Sequence, residues 1–443
     1  MRILQTCAPR GAAGRRGAAL LLSCLVLIVI ITIVHQIYIV TGTDARVTRN
    51  DNTLVKMDLA IESALLQVYE QLAEDGQGAG APEEGTDLLA EGGTDSGDSG
   101  GEGESVDSKM DEWARPQSTT INEINLRILI QDEDSKYNVL NMLAEDEDQA
   151  QAAFDRVVRI LEACRLGTTE AIDSGVALEM ATVMRDHMLE RSDSFLPRPT
   201  LLSDDEENED LGMPLSLKEF ACLEPFEEYH FRDYFDVEGE RVHSIGSFLT
   251  VWTGVATGED GSAAGGFGVN VNTAPMAVLA SLMDDRDVPT RVWDDVREYR
   301  NLEEDPPEDG EAPEPMLDEY GNEIYPHKFF DNLAELEEVY GWDDLEQAVK
   351  ADVEALLGVQ SNVFSVFITA RLDTVQASRQ IVTFESRREQ EVYERSGSHI
   401  VRTIRAVVWR RSDDEEMETV PIIRWEVLEY APLEVLDYPE DDY

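Results

Sequence analysis

The sequence predicts an α+β fold: a long N-terminal helix, transmembrane and then amphipathic, followed by an antiparallel sheet domain into which a large all-α domain is inserted. Three observations point there. An apolar run near the N-terminus is long enough to cross a bilayer. Strand-like alternation appears in two regions far apart in the chain. Between them, roughly 215 residues carry mostly helical periodicity.

Ala18 to Val40 reads AALLLSCLVLIVIITIVHQIYIV, about 23 residues with no acidic or basic side chain apart from His35, which suits a membrane-spanning helix. Arg10, Arg15 and Arg16 precede it, while Asp44 and Asp51 follow among mixed charges. This bias places the N-terminus in the cytoplasm and the remainder across the membrane. A cleavable secretory signal has a shorter apolar core and a small-residue cleavage site, and here the run continues past any such point. Past the bilayer, Met57, Ile61, Leu65, Val68 and Leu72 recur at spacings of three and four and mark one apolar helix face, with Gly42 as the weak point of a continuous helix.

Asp and Glu outnumber Lys and Arg by 92 to 36, a net charge of −56, and such a surface repels phosphate backbones. The same excess suits a salty habitat or surroundings rich in divalent cations. Residues 73–112 are rich in Gly, Asp, Glu and Ser and cannot bury enough apolar surface to offset the entropy of ordering. Ser203 to Asp210 and Glu303 to Glu319 read as acidic loops. Cys164 and Cys222 are either a disulfide pair or two separate thiols, and no Cys/His spacing suggests zinc. The sequence has no P-loop, HExxH or Gly-rich dinucleotide loop, and its six histidines are scattered, so no catalytic role is expected.

Ordered structure is expected from Trp113. Ile124, Leu126, Ile128 and Ile130 alternate as a strand that runs into Asp132-Glu133-Asp134, and Ile400 to Trp409 and Val420 to Leu428 alternate likewise. Asp132 and Asp134 are either turn and cap residues or ligands of calcium, a hard cation that prefers oxygen. In the helical stretch, Phe154, Val157, Val158, Ile160 and Leu161 form one face, and Ser216…Glu219 and Asn332…Glu335 both fit a capping box. In Asn270-Val271-Asn272-Thr273-Ala274-Pro275, Thr273 is expected to cap a helix and Pro275 to occupy its first turn.

Arg15-Arg16-Gly17 abutting the apolar run resembles a type IV prepilin leader, although a plain signal anchor has the same flank. Asn270-x-Asn272-Thr273-Ala274-Pro275…Val278-Leu279 is similar to a signature shared by K-type minor pseudopilins of the general secretion pathway and by helix-hairpin-helix DNA-binding modules. The two "Leu-x-Glu" helices and Ser361-x-x-Phe364 fall in the same order as in the K family. The resemblance implies cleavage by a prepilin peptidase between Gly17 and Ala18, and a pilin-like sheet with a helix-hairpin-helix-like insertion. It also makes calcium a plausible cofactor. Leu22 stands where most pilins carry a glutamate that pairs with a neighbouring subunit's N-terminal amine. The K family is similar in lacking it, which implies a filament-tip position. DNA binding does not follow, because the turn Asp284-Asp285-Arg286-Asp287 opposes phosphate.

The resulting plan assigns 1–17 to a leader, 18–40 to the transmembrane helix, 41–75 to its continuation and 76–112 to a disordered acidic linker. Residues 113–141 and 361–430 form the two parts of the pilin-like domain, 142–360 the insertion and 431–443 an acidic tail. The implied protein sits in the inner membrane with a periplasmic body, and its partners are I- and J-type minor pseudopilins. The rival reading is a single-span exported envelope binding protein or DNA-uptake factor with helix-hairpin-helix-like modules.

Overall fold

The computed structural model describes residues 13–76, 106–144, 146–190, 216–236, 239–252, 268–302, 316–317, 323–324, 327–373, 399–413 and 416–428. The leader before residue 13, most of the acidic linker, the 203–210 loop, most of the 303–319 loop and the acidic tail lie outside them. Two compact units make up the chain, Met1–Leu59 and Ala60–Tyr443.

Helix α1 (Ala13–Gly76) runs for 64 residues and passes through Gly42 without a break. From Leu20 to Val47 its apolar side chains are bare, Leu20, Leu21 and Leu22 being 67–69% exposed. It is the one helix among the described residues long and apolar enough to cross a membrane, with a mean hydropathy of 2.7 in its most apolar window. Thr32 and Thr43 return their hydroxyls to the carbonyls of Ile28 and Ile39 at 2.9 Å, so these polar groups are satisfied within the helix.

In the second unit the same helix becomes amphipathic. Ile61, Leu65, Val68 and Leu72, the part of the expected face that lies here, are all buried. Polar ties join this half to the sheet: Gln71 accepts from Gln117, Asp75 accepts from Arg410, and Glu62 pairs with Arg424.

The sheet is an antiparallel meander in chain order, β1 (Gln117–Ile121), β2 (Ile124–Asp132), β3 (Val363–Asp373), β4 (His399–Asp413) and β5 (Glu416–Leu428). β1 is an addition to the expected strands. Its two-residue turn puts Asn122 and Glu123 at φ 50° and 69°, the left-handed geometry that tight hairpins need. Ile124, Leu126, Ile128 and Ile130 bury one face together with Val366, Ile368, Ala370, Ile404, Ala406 and Val408.

The insertion between β2 and β3 differs from the all-α expectation. It holds α2 (Glu147–Ala163), α3 (Ser174–Leu189), α4 (Met276–Leu282), α5 (Thr290–Asn301) and α6 (Gln347–Glu354). Around them lie 3-10 turns and short strand pairs, such as Tyr137–Asn138 with Leu249–Thr250 and Val269–Asn270 with Leu357–Gly358. Long connections cross the interior, and their buried amides find backbone partners in these pairings. One apolar cluster runs from Phe154, Ile160 and Met180 through Trp293 and Trp342 to Val363 and Val407 of the sheet. The insertion therefore shares a core with the sheet.

The Ser216 and Asn332 segments are 3-10 turns. Each side chain accepts from the amide two residues on, Lys218 and Ala334, instead of three. Pro275 sits at the N-cap of α4 instead of in its first turn. Cys164 is buried, Cys222 is exposed, and both are free thiols.

Ile368, fully buried at the centre of β3, should cost about 2–5 kcal/mol when replaced by alanine, through lost transfer energy and a cavity. Val401→Ala, at an exposed position of β4, should change stability by less than about 0.5 kcal/mol. Urea unfolding of the detergent-solubilised chain reads both.

Candidate functional site

Segments distant in sequence meet at one buried polar junction. Arg410 on β4 is 2% exposed, and its Nη2 donates to both carboxylate oxygens of Asp107, at 2.7 and 2.5 Å. The same nitrogen reaches the carbonyl of Ser361 at 2.6 Å, and Nη1 reaches Asp75 at 2.9 Å. Its guanidinium lies 5.0 Å from the centre of the Phe364 ring. Gly76, the last residue of α1, lets this side chain pass: a Cβ there would stand 2.7 Å from the Arg410 Cδ. Ser361 completes the link, its amide donating to Asp107 at 2.7 Å and its hydroxyl to Asp132 at 2.6 Å.

Asp107 was expected in the disordered linker. That assignment needs correction at its C-terminal end, because Asp107 and Ser108 are buried and tied to Arg410 and Ser361. Burial in a low-dielectric interior demands such partners, and composition alone does not reveal them.

The Asn-x-Asn motif serves this junction. Asn270 accepts from the amide of Asn272 at 2.9 Å, an Asx turn, and donates to Ser361 Oγ at 2.7 Å and to the Asp107 carbonyl at 3.1 Å. Asn272 exchanges two bonds with the backbone of Phe330, at 2.8 and 3.0 Å. Arg300 on α5 is buried, and its Nη1 gathers the carbonyls of Val271, Asn272 and Ala274 at 2.7, 3.2 and 3.0 Å. Thr273 does not cap α4. Its hydroxyl donates to Asp132 at 2.5 Å.

Asp132 and Asp134 behave as turn residues. Asp132 Oδ1 accepts from the Asp134 amide at 2.7 Å, and Asp134 Oδ2 accepts from the amides of Asn362 and Val363 at 2.6 and 3.3 Å. Oδ2 of Asp132 is engaged by Thr273 and Ser361, and among the described residues no third carboxylate, histidine or cysteine forms a metal-binding cluster with the pair. The carboxylates that do converge are Asp75, Asp107 and Asp111, and Arg410 already pairs with two of them. Between the two aspartates, Glu133 is saturated by Lys136 at 2.8 Å, Thr250 at 2.6 Å and Ser365.

Burial raises the carboxyls of Asp132 and Asp134, and for Asp134 the negative neighbour Asp132 raises it further. For Asp107 burial outweighs even Arg410, so its carboxyl also lies above the ordinary range. Asp111 is pushed up to about 6 by burial, with Asp75 and Asp107 adding to the shift.

Of the remaining expected positions, Gly17 and Ala18 lie within α1, and their side chains fall outside the described residues. Leu22 stands on the bare apolar surface. The hairpin between α4 and α5 presents aspartates: Asp284 accepts from the Arg286 amide at 3.0 Å, and Asp285 from Thr290 at 2.8 Å.

No protein-family model matches the chain, and no curated protein does. Among solved structures, it is similar to a chain of the GspK-GspI-GspJ complex from the enterotoxigenic Escherichia coli Type 2 Secretion System. The two are 10% identical, the match covers 86% of this chain and 99% of that one, and the TM-score is 0.49.

Arg410→Met should destabilise the second unit by about 3–5 kcal/mol, because it strands Asp107 in the interior. Adding Asp107→Asn should restore part of this loss. Denaturant midpoints of the single and double variants give the coupling. The raised carboxyls bind protons more tightly folded than unfolded, so their contribution is full below the ordinary aspartate value and is lost as pH rises through the folded value. Asp111 should therefore contribute a fall in stability between about pH 4 and pH 7, and Asp111→Asn should reduce the slope in pH-dependent urea melts, leaving the part due to Asp107, Asp132 and Asp134.

Proposed function

We propose that this chain is a structural, non-catalytic subunit of a type II secretion pseudopilus: a minor pseudopilin similar to the K type, seated at the filament tip. One observation carries the reading. A single helix is bare and apolar over its first half, while its second half is built into an antiparallel meander. Such a helix suits insertion in a bilayer and later transfer into a helical filament core, with the folded body held outside. The leader-like Arg15-Arg16-Gly17 in front of it and the Asn-x-Asn-Thr-Ala-Pro loop behind support the same assignment.

The tip position rests on two further features. Leu22 offers no carboxylate to a neighbour's N-terminal amine, and a charge in lipid is tolerated mainly when paired, so nothing needs to dock above. The insertion between β2 and β3 adds bulk that a closely spaced stack of subunits has no room for. In this reading the protein crosses the inner membrane once, with its body in the periplasm, and joins I- and J-type minor pseudopilins to start assembly. The junction holds α1, the sheet and the insertion in one arrangement, which is the requirement for a cap that transmits force.

In a host with an active prepilin peptidase, the mature chain should begin at Ala18, and Gly17→Val should leave the precursor uncut by N-terminal sequencing. Gold-labelled antibody should mark one end of each pseudopilus. Met1 on protein from that host, or label along the whole filament, would contradict the assignment.

A further inference from the structure

Two cations beside the Asn-x-Asn loop stand without a carboxylate partner among the described residues, in a chain of net charge −56. Arg300 is 8% exposed. Its Nη1 alone serves the three carbonyls of that loop, so Nε and Nη2 have no hydrogen-bond partner among the described residues. In a guanidinium those two nitrogens share the edge that grips an oxyanion through two parallel bonds. Lys109 is exposed, and among the described residues its ammonium makes no hydrogen bond or ion pair. Two bridges hold the Lys109 turn against the end of α5. Asn270 donates to the Asp107 carbonyl, and the next carbonyl along the loop, that of Val271, takes a bond from Arg300. Met110 Sδ accepts from the His327 amide at 3.3 Å, and the neighbouring Lys328 amide donates to the Leu302 carbonyl at 2.8 Å. Loss of water around Lys109, and then the charge of Arg300, lowers its ammonium to about 8. Burial, and then Arg297, lowers Arg300 to about 10. The acids closest to Lys109 in sequence are committed elsewhere, Asp107 to Arg410 and Asp111 to the Ser108 amide at 2.7 Å.

We propose that Lys109 and Arg300 form a binding site for a small oxyanion, held by the open edge of the guanidinium and by the ammonium. Carboxylate, phosphate and sulfate share the two-oxygen edge that this fork fits, and chloride lacks it. Two like charges held side by side repel each other. An oxyanion between them replaces that repulsion with two charge-assisted contacts. The charge of the whole chain sets the size of the ligand. A long polyanion would meet repulsion along its length, whereas a single oxyanion meets chiefly the two local cations. This inference is independent of the filament assignment, because it concerns the local chemistry of the second unit.

The test is reductive methylation of the detergent-solubilised full chain with formaldehyde and a borane, read lysine by lysine through peptide mass spectrometry. Acetate, phosphate and sulfate are each compared with chloride at equal ionic strength, so that general screening cancels. A bound oxyanion lifts the Lys109 ammonium toward its ordinary value and so removes the neutral, reactive form. Methylation of Lys109 should therefore slow saturably, by about fivefold or more, at about pH 7.5. Exposed Lys56 and Lys218 should react at an unchanged rate. Protection by acetate alone assigns a carboxylate ligand, and protection by phosphate or sulfate a tetrahedral one; either supports the site. Arg300→Lys keeps a cation for the loop carbonyls but has no two-donor edge, and it should abolish the protection with an unchanged circular dichroism spectrum. Should that variant fail to fold, Lys109→Met gives a second measurement. The rise in urea midpoint that millimolar oxyanion brings to the unmodified chain should disappear in it. Equal protection by chloride, or none from any of the three up to about 50 mM, a range that still detects very weak sites, would overturn the proposal. So would an oxyanion response that either variant leaves unchanged.

Discussion

The buried pairing of Arg410 with Asp107 is the contact on which the second unit depends. A guanidinium and a carboxylate are both taken out of water, a cost of several kcal/mol per ion unless every donor and acceptor is matched. Most of the matching comes from elsewhere in the chain, with only Arg410 Nε left without an acceptor among the described residues: Asp75 at the end of α1, the amide and carbonyl of Ser361, and through Ser361 the carboxylate of Asp132. Removing the pair would leave three structural layers without their common polar anchor. Apolar packing alone would hold helix to sheet and sheet to insertion, but would not set their register so narrowly.

Around this anchor, the Asn-x-Asn loop and Arg300 settle buried backbone groups that no long strand or helix could satisfy. In a helix-hairpin-helix module that binds DNA, the comparable hairpin turns its amides toward phosphate. Here Asp284 and Asp285 spend their oxygens on the amides of Arg286 and Thr290, so the hairpin closes on itself.

Much of the frame was legible in the sequence because its signals are periodic. The apolar run, the i, i+4 face from Ile61 to Leu72 and the alternation in β2, β4 and β5 are each read from spacing alone. β1 escaped because its polar residues, Gln117 to Thr120, lack an apolar alternation and its turn uses Glu123, a residue rarely found at positive φ. Asp107 escaped because it sits at the end of a low-complexity acidic run, where one aspartate looks like any other. Arg410 carried a faint signal: by strand parity it shares the inward face of Ile404, Ala406 and Val408, a place where an arginine requires a buried acid. Asp132 and Asp134 showed the limit of residue type, since the same carboxylates serve a turn or a cation and only their neighbours decide.

The placement of the insertion has a kinetic side. β2 and β3 are adjacent in the sheet, yet Asp132 and Val363 are separated by the whole insertion. A chain synthesised N-terminus first exposes the apolar face of β2 long before its partner strand is made. Arg410, which closes the junction, comes later still. Closing so large a loop is slow relative to local helix formation. The chain therefore passes through a stage in which β2 is made and still unpaired, and a net charge of −56 opposes association of such incompletely paired chains until the last strands arrive.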